Sequence, residues 1–112
     1  MFLFNKKNIS SEYRFHAVNH PGEQFAGNLV LLYGQDYIGD RNNAYSVQTR
    51  LPGWFAIGDD SDGRALLMRL DGSQSVYECE HVAMGSVDPQ MIATSFADWL
   101  SGDCPLPERP EV

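Results

Sequence analysis

Trp54-Phe55-Ala56-Ile57-Gly58-Asp59-Asp60-Ser61-Asp62-Gly63, followed at once by Arg64-Ala65-Leu66-Leu67-Met68-Arg69-Leu70-Asp71-Gly72, decides the fold of this chain. Trp54 to Ile57 is an apolar run of strand length. Gly58 to Gly63 is a polar loop, and Arg64 to Leu70 places Leu66, Met68 and Leu70 on one face at period two. Asp71-Gly72 is a tight-turn dipeptide, because both residues tolerate a positive φ, and Gln74 to Glu80 returns antiparallel. The stretch predicts a three-stranded antiparallel meander from residue 54 to residue 80.

Outward from the meander the other elements follow. Downstream, Asp88 is placed to cap a helix and Pro89 to open it, where a missing N–H costs nothing. Ile92, Phe96, Trp99 and Leu100 then form one apolar stripe at i, i+4, i+7 and i+8, and Gly102 closes this amphipathic C-terminal helix. Upstream, Phe25 to Tyr33 reads as one strand lying inside the sheet. Phe25, Gly27, Leu29, Leu31 and Tyr33 share one of its faces. Gln35 to Ile38 suits a short helix, and Arg41-Asn42-Asn43 a polar turn. Ile9 to Val18 reads as a helix capped by Ser10 or Ser11 and stopped by Asn19-His20-Pro21-Gly22. Strands in sequence with short flanking helices make an α+β domain with a mostly antiparallel sheet.

The chain has 112 residues, room for one domain and one core. A hydrophobic content of 43% is that of a globular protein rather than a disordered one. Residues 1–50 carry five basic and four acidic side chains, residues 51–112 three basic and eleven acidic. So acidic a half excludes a phosphate backbone as partner, since that needs clustered Lys and Arg. It would attract and orient a basic protein. No apolar segment has the length of a membrane span, and Met1-Phe2-Leu3-Phe4 lacks the leading charge of a signal peptide. The cytoplasm is therefore expected, with Cys79 and Cys104 as free thiols.

The residues offer little catalytic chemistry. Aligned as a calcium loop, Gly58 to Gly63 puts Gly58 at the first ligand position and Arg69 where a bidentate Glu belongs, so a polar turn is the better reading. His16, His20 and His81 have no metal-ligand spacing. Cys79 sits between Glu78 and Glu80, which disfavour its thiolate, and Ser95 lacks a nucleophile elbow. No catalytic residue, metal site or cofactor is expected.

The order of these signals resembles the SUKH superfamily of bacterial immunity proteins and fungal cell-wall-synthesis regulators. Ile9-Ser-Ser-Glu-Tyr-Arg-Phe with Asn19-His-Pro-Gly22 is similar to its "LPxxYxxFxxxxNGG" opening. Phe55 to Gly63 is similar to its "hxhGdxxxGd" strand and turn. Ile92-Ala-Thr-Ser-Phe-Ala-Asp-Trp-Leu100 is similar to its "hAxSFxxWL" terminal helix. The family's preceding N-terminal helix is replaced by Met1 to Asn8, and Arg64 stands where an acid is frequent. The resemblance implies a SUKH-like domain over residues 1–104, and the three prolines of residues 105–112 imply a flexible tail beyond it. It also implies a non-enzymatic binding module, an immunity protein that neutralises a cognate toxin such as a nuclease; the alternative is a regulatory or scaffold interaction domain without a toxin. The expected partner surface comprises Asp59, Asp60, Asp62, Glu78 and Glu80 on one acidic face. A homodimer is expected as well, covering apolar surface that the missing helix would have occupied.

Overall fold

A computed structural model describes residues 8–27 and 29–108. Met1 to Phe4, and the end of the tail, lie outside the described residues. Six strands form one antiparallel sheet in sequence order: β1 (Glu23–Ala26), β2 (Val30–Tyr33), β3 (Trp54–Asp60), β4 (Arg64–Arg69), β5 (Val76–Glu80) and β6 (Gln90–Ala93). Among the described residues four α-helices accompany them, α1 (Ser11–Asn19), α2 (Ile38–Ala44), α3 (Val47–Arg50) and α4 (Phe96–Ser101), with a 3-10 turn at His81–Ala83. The α+β expectation holds, and so does the meander from 54 to 80. The polar turn between β3 and β4 is closed by Asp60, whose Oδ1 accepts from the N–H groups of Asp62 (2.8 Å) and Arg64 (3.0 Å).

Each face of the sheet carries its own core. On one face Leu32, Phe55, Ile57, Leu66, Met68 and Val76 meet Tyr13 and Ala17 of α1 and Phe96 and Trp99 of α4. On the other, Tyr33, Ala56, Ala65, Leu67 and Cys79 meet Val47 of α3 and Met84. The helices run in different directions. The N-terminal end of α1 lies beside Gln74, and its far end beside Gly34, so it crosses the sheet at the end where β2, β4 and β6 finish. Glu12 holds the start of α4 through Ser95 Oγ (3.0 Å) and Ala97 N–H (2.9 Å). From there α4 runs toward the opposite end, where the backbone of Asp103 reaches Gly27. Among the described residues no helix is long and apolar enough to cross a membrane.

Three sequence expectations are corrected. Phe25 to Tyr33 is a hairpin, not one strand: the chain reverses between Ala26 and Val30 with Gly27 at φ +62°. β2 is interior as expected, but β1 is a sheet edge. A side chain at Gly27 would also collide with Asp103 O, its Cβ only 2.3 Å away. Arg41-Asn42-Asn43 belongs to α2 rather than a turn. Asn42 is fully buried there; its Nδ2 donates to Ala56 O (2.9 Å) and its Oδ1 accepts from Ala56 N–H (2.8 Å). The last pair between β2 and β3 is Leu32–Gly58, so Asn42 takes up the β3 edge where β2 has ended.

The third correction concerns the C-terminal helix. Gln90 to Ala93 is strand β6, pairing with β5, and helix begins only after Ser95. Ser95 rather than Asp88 is the cap, its Oγ accepting from Asp98 N–H. Ile92 does reach the same core as Phe96 and Trp99, but from a strand. Past the helix, Pro105 O accepts from Trp99 Nε1 (2.9 Å) and Leu106 packs against the core.

Candidate functional site

The register of the meander determines where its carboxylates go. Asp59 pairs with Ala65, Arg64 with Glu80 and Leu66 with Glu78, so all five expected site residues lie at the end of the sheet holding the β3–β4 turn. They do not share one face. Glu78 and Glu80 lie on the α1/α4 face with Arg64, whose guanidinium approaches them at 3.7 and 3.6 Å. Asp60 points to that side as well, opposite Val30, and is nearly buried by its turn-closing bonds. Asp59 points to the other face, where its Oδ2 accepts from Tyr33 Oη. Asp62 projects from the turn into solvent.

One acid of this end was missed in the sequence. Gly27, against which Asp103 packs, belongs to the turn where Leu29 O accepts from Ser61 N–H (3.1 Å). The β1–β2 turn, the β3–β4 turn and the C-terminal end of α4 therefore converge, and Asp103 joins the five. Of the six carboxylates at this end, Glu78 and Glu80 approach Arg64 and Asp60 closes the turn. Asp59 lies on the other face and the backbone of Asp103 lies beside Gly27, while Arg50 donates to His81 O. Asp103 follows α4, and only the direction of that helix brings it to this end of the sheet.

The neighbouring titratable groups respond to this field. Burial pushes the Cys79 thiol up, and Glu80 and Glu78 add to the rise while Arg50 and Arg64 oppose it. Burial likewise pushes the Cys104 thiol up to about 11, with Asp103 adding to it. Neither is a thiolate nucleophile at neutral pH, and both are free thiols. Burial lowers His81 below the usual imidazole value, Asp59 and Asp60 pull it back up, and Arg50 lowers it further. Among the described residues no three His, Cys, Asp or Glu side chains converge as a metal ion would require.

The sheet's other end holds an open groove of about 510 Å³ between α1 and α4, with Phe15, His16, His20, Phe96 and Leu100 in its walls. His16 and His20 stack with ring centroids 4.6 Å apart, and His16 lies edge-on to Phe96. Its carboxylate, Glu12, is already committed to the start of α4.

No protein-family model matches this chain, and no curated protein matches it.

Proposed function

We propose that this chain is a non-enzymatic protein-binding module that engages a basic partner through the acidic end of its sheet. The reading follows the resemblance to bacterial immunity proteins, which implies a toxin domain, such as a nuclease, as the partner, met in the cytoplasm. The observation that carries it is the placement of Asp59, Asp60, Asp62, Glu78 and Glu80 at one end of the sheet, with Asp103 beside the neighbouring β1–β2 turn. Such a field raises the encounter rate with a cationic surface and orients it. The motif residues behind the resemblance build the scaffold beneath. Gly58 leaves room for Leu31 O, which a Cβ would approach to 2.3 Å. Asp60 closes the turn, and Ser95, Phe96 and Trp99 cap and seat α4.

The test is kinetic. The product of the neighbouring reading frame is purified and its association with this chain followed by stopped flow. With the pairing as read, Asp62→Lys with Glu80→Lys slows association about tenfold at low ionic strength and flattens its salt dependence. Equal rates and equal salt slopes for wild type and variant would remove the acidic end from any binding role.

A further inference from the structure

The acidic end is not uniformly polar. Phe25, Leu29 and Val82 are 78%, 51% and 88% exposed, and each lies at the same end of the sheet as the carboxylates. Register places Phe25 opposite Leu31 and Leu31 opposite Asp59, one row across the same face of the sheet. Directly opposed residues lie about 5 Å apart, so Phe25 stands roughly 10 Å from Asp59. Leu29 is tied through its carbonyl to Ser61 in the β3–β4 turn, and Val82 follows His81, whose N–H donates to Gly63 O (3.0 Å). Three large apolar side chains thus lie along the acidic end of the sheet, Phe25 at its β1 edge, Leu29 by the β3–β4 turn and Val82 beyond β5.

Charge alone accelerates encounter, but a complex persists on desolvated apolar anchors set among polar groups. We infer that Phe25, Leu29 and Val82 are the apolar anchors of this surface, and that it takes a polypeptide in which Lys or Arg alternates with apolar side chains. This rests on the acidic end being the binding surface. A second copy of the chain would bring the same carboxylates against these, and nucleic acid would bring phosphates, so both are repelled where a cationic polypeptide is attracted.

The test uses the full chain and two labelled peptides of equal charge and length, one alternating Lys with Leu, the other Lys with Ser. The Lys/Leu peptide is expected to bind at least about tenfold more tightly, mainly through slower dissociation. Phe25→Ser with Val82→Ser should erase that advantage while leaving the Lys/Ser affinity unchanged, which also shows that the double variant remains folded. Phe15→Ser supplies the control: Phe15 is 75% exposed but lies on α1 at the other end, and its loss should leave the advantage intact. Equal binding of the two peptides overturns the inference. So does an advantage that survives the double variant, or one that Phe15→Ser removes equally. If light scattering finds a dimer that Phe25→Ser returns to monomer, the patch belongs to a second copy and the inference is overturned. Salt-insensitive binding, or none, for both peptides overturns the acidic-surface reading itself, a result distinct from loss of the Leu preference alone.

Discussion

The two ends of the sheet use polar side chains in opposite ways. At the α1 end they bind one another: Gln74 Oε1 accepts from Ser10 Oγ and Glu12 N–H, Gln74 Nε2 donates to Ser11 Oγ, and Glu12 holds Ser95 and Ala97. Backbone groups join in, with Gly72 N–H donating to Asn8 O and Phe96 N–H to Gln74 O. At the other end Glu78 and Glu80 share the single guanidinium of Arg64, and Asp62 stays in solvent. The first end is where polar residues build the fold. The second carries negative charge beyond the bonds made by Asp59 and Asp60 and the pairs of Arg64, and such an excess serves solubility or recognition.

The largest expected effect on stability lies at the α1 end. Gln74→Ala removes three hydrogen bonds that join α1 to the β4–β5 turn, and should cost about 2 kcal/mol in urea unfolding. A loss below about 0.5 kcal/mol, the range of an ordinary surface change, would break the contrast between the ends.

At the acidic end, Asp62→Asn with Glu80→Gln should leave stability within about 0.5 kcal/mol of wild type. Glu80 gives up only a 3.6 Å surface pair with Arg64, and both changes relieve repulsion. Any gain should appear at low ionic strength and vanish once the Debye length falls below the spacing of the charges. A salt-independent loss of the size expected for Gln74→Ala would mean that these carboxylates are structural too.

Much of this contrast is legible in the sequence. Asp71-Gly72 between two apolar alternations fixes the β4–β5 hairpin, and its register together with that of β3 and β4 sends Asp59, Asp60, Asp62, Glu78 and Glu80 to one end. Which face each takes was not legible. The register shift between Ala56 and Gly58 adds a residue to β3, and the alternation changes phase beyond it. The β1–β2 turn stayed hidden because Gly27-Asn28 sits among apolar residues that continue the period of two on either side. The stripe Ile92, Phe96, Trp99, Leu100 fits a continuous helix, yet it fits equally a strand followed by a helix capped at Ser95. The need of β5 for a partner on its open edge settles it for the strand. The positions of Asp103, Phe25 and Leu29 followed from those two misread elements, so none could be placed before the turn and the short helix were known.

The smallest expected effect separates the two ends by their histidines. Burial lowers the pKa of His16, at the α1 end, and the nearby charge of His20 lowers it further. Burial also lowers His81, but there Asp59 and Asp60 work against it while Arg50 works with it. A depressed imidazole binds its proton less readily in the folded chain than in the unfolded one. As pH falls through the ordinary value of 6.5, the unfolded state therefore gains protons first and stability declines toward each lowered folded pKa. Above that window neither histidine affects stability through its charge. The acidic end should soften this loss, because its carboxylates favour the imidazolium that burial disfavours. Urea midpoints measured on either side of the window should thus converge more in His16→Gln than in His81→Gln. If His81→Gln flattens the pH dependence more, the carboxylates act on His81 too weakly to offset its burial, and the difference between the ends loses its electrostatic basis.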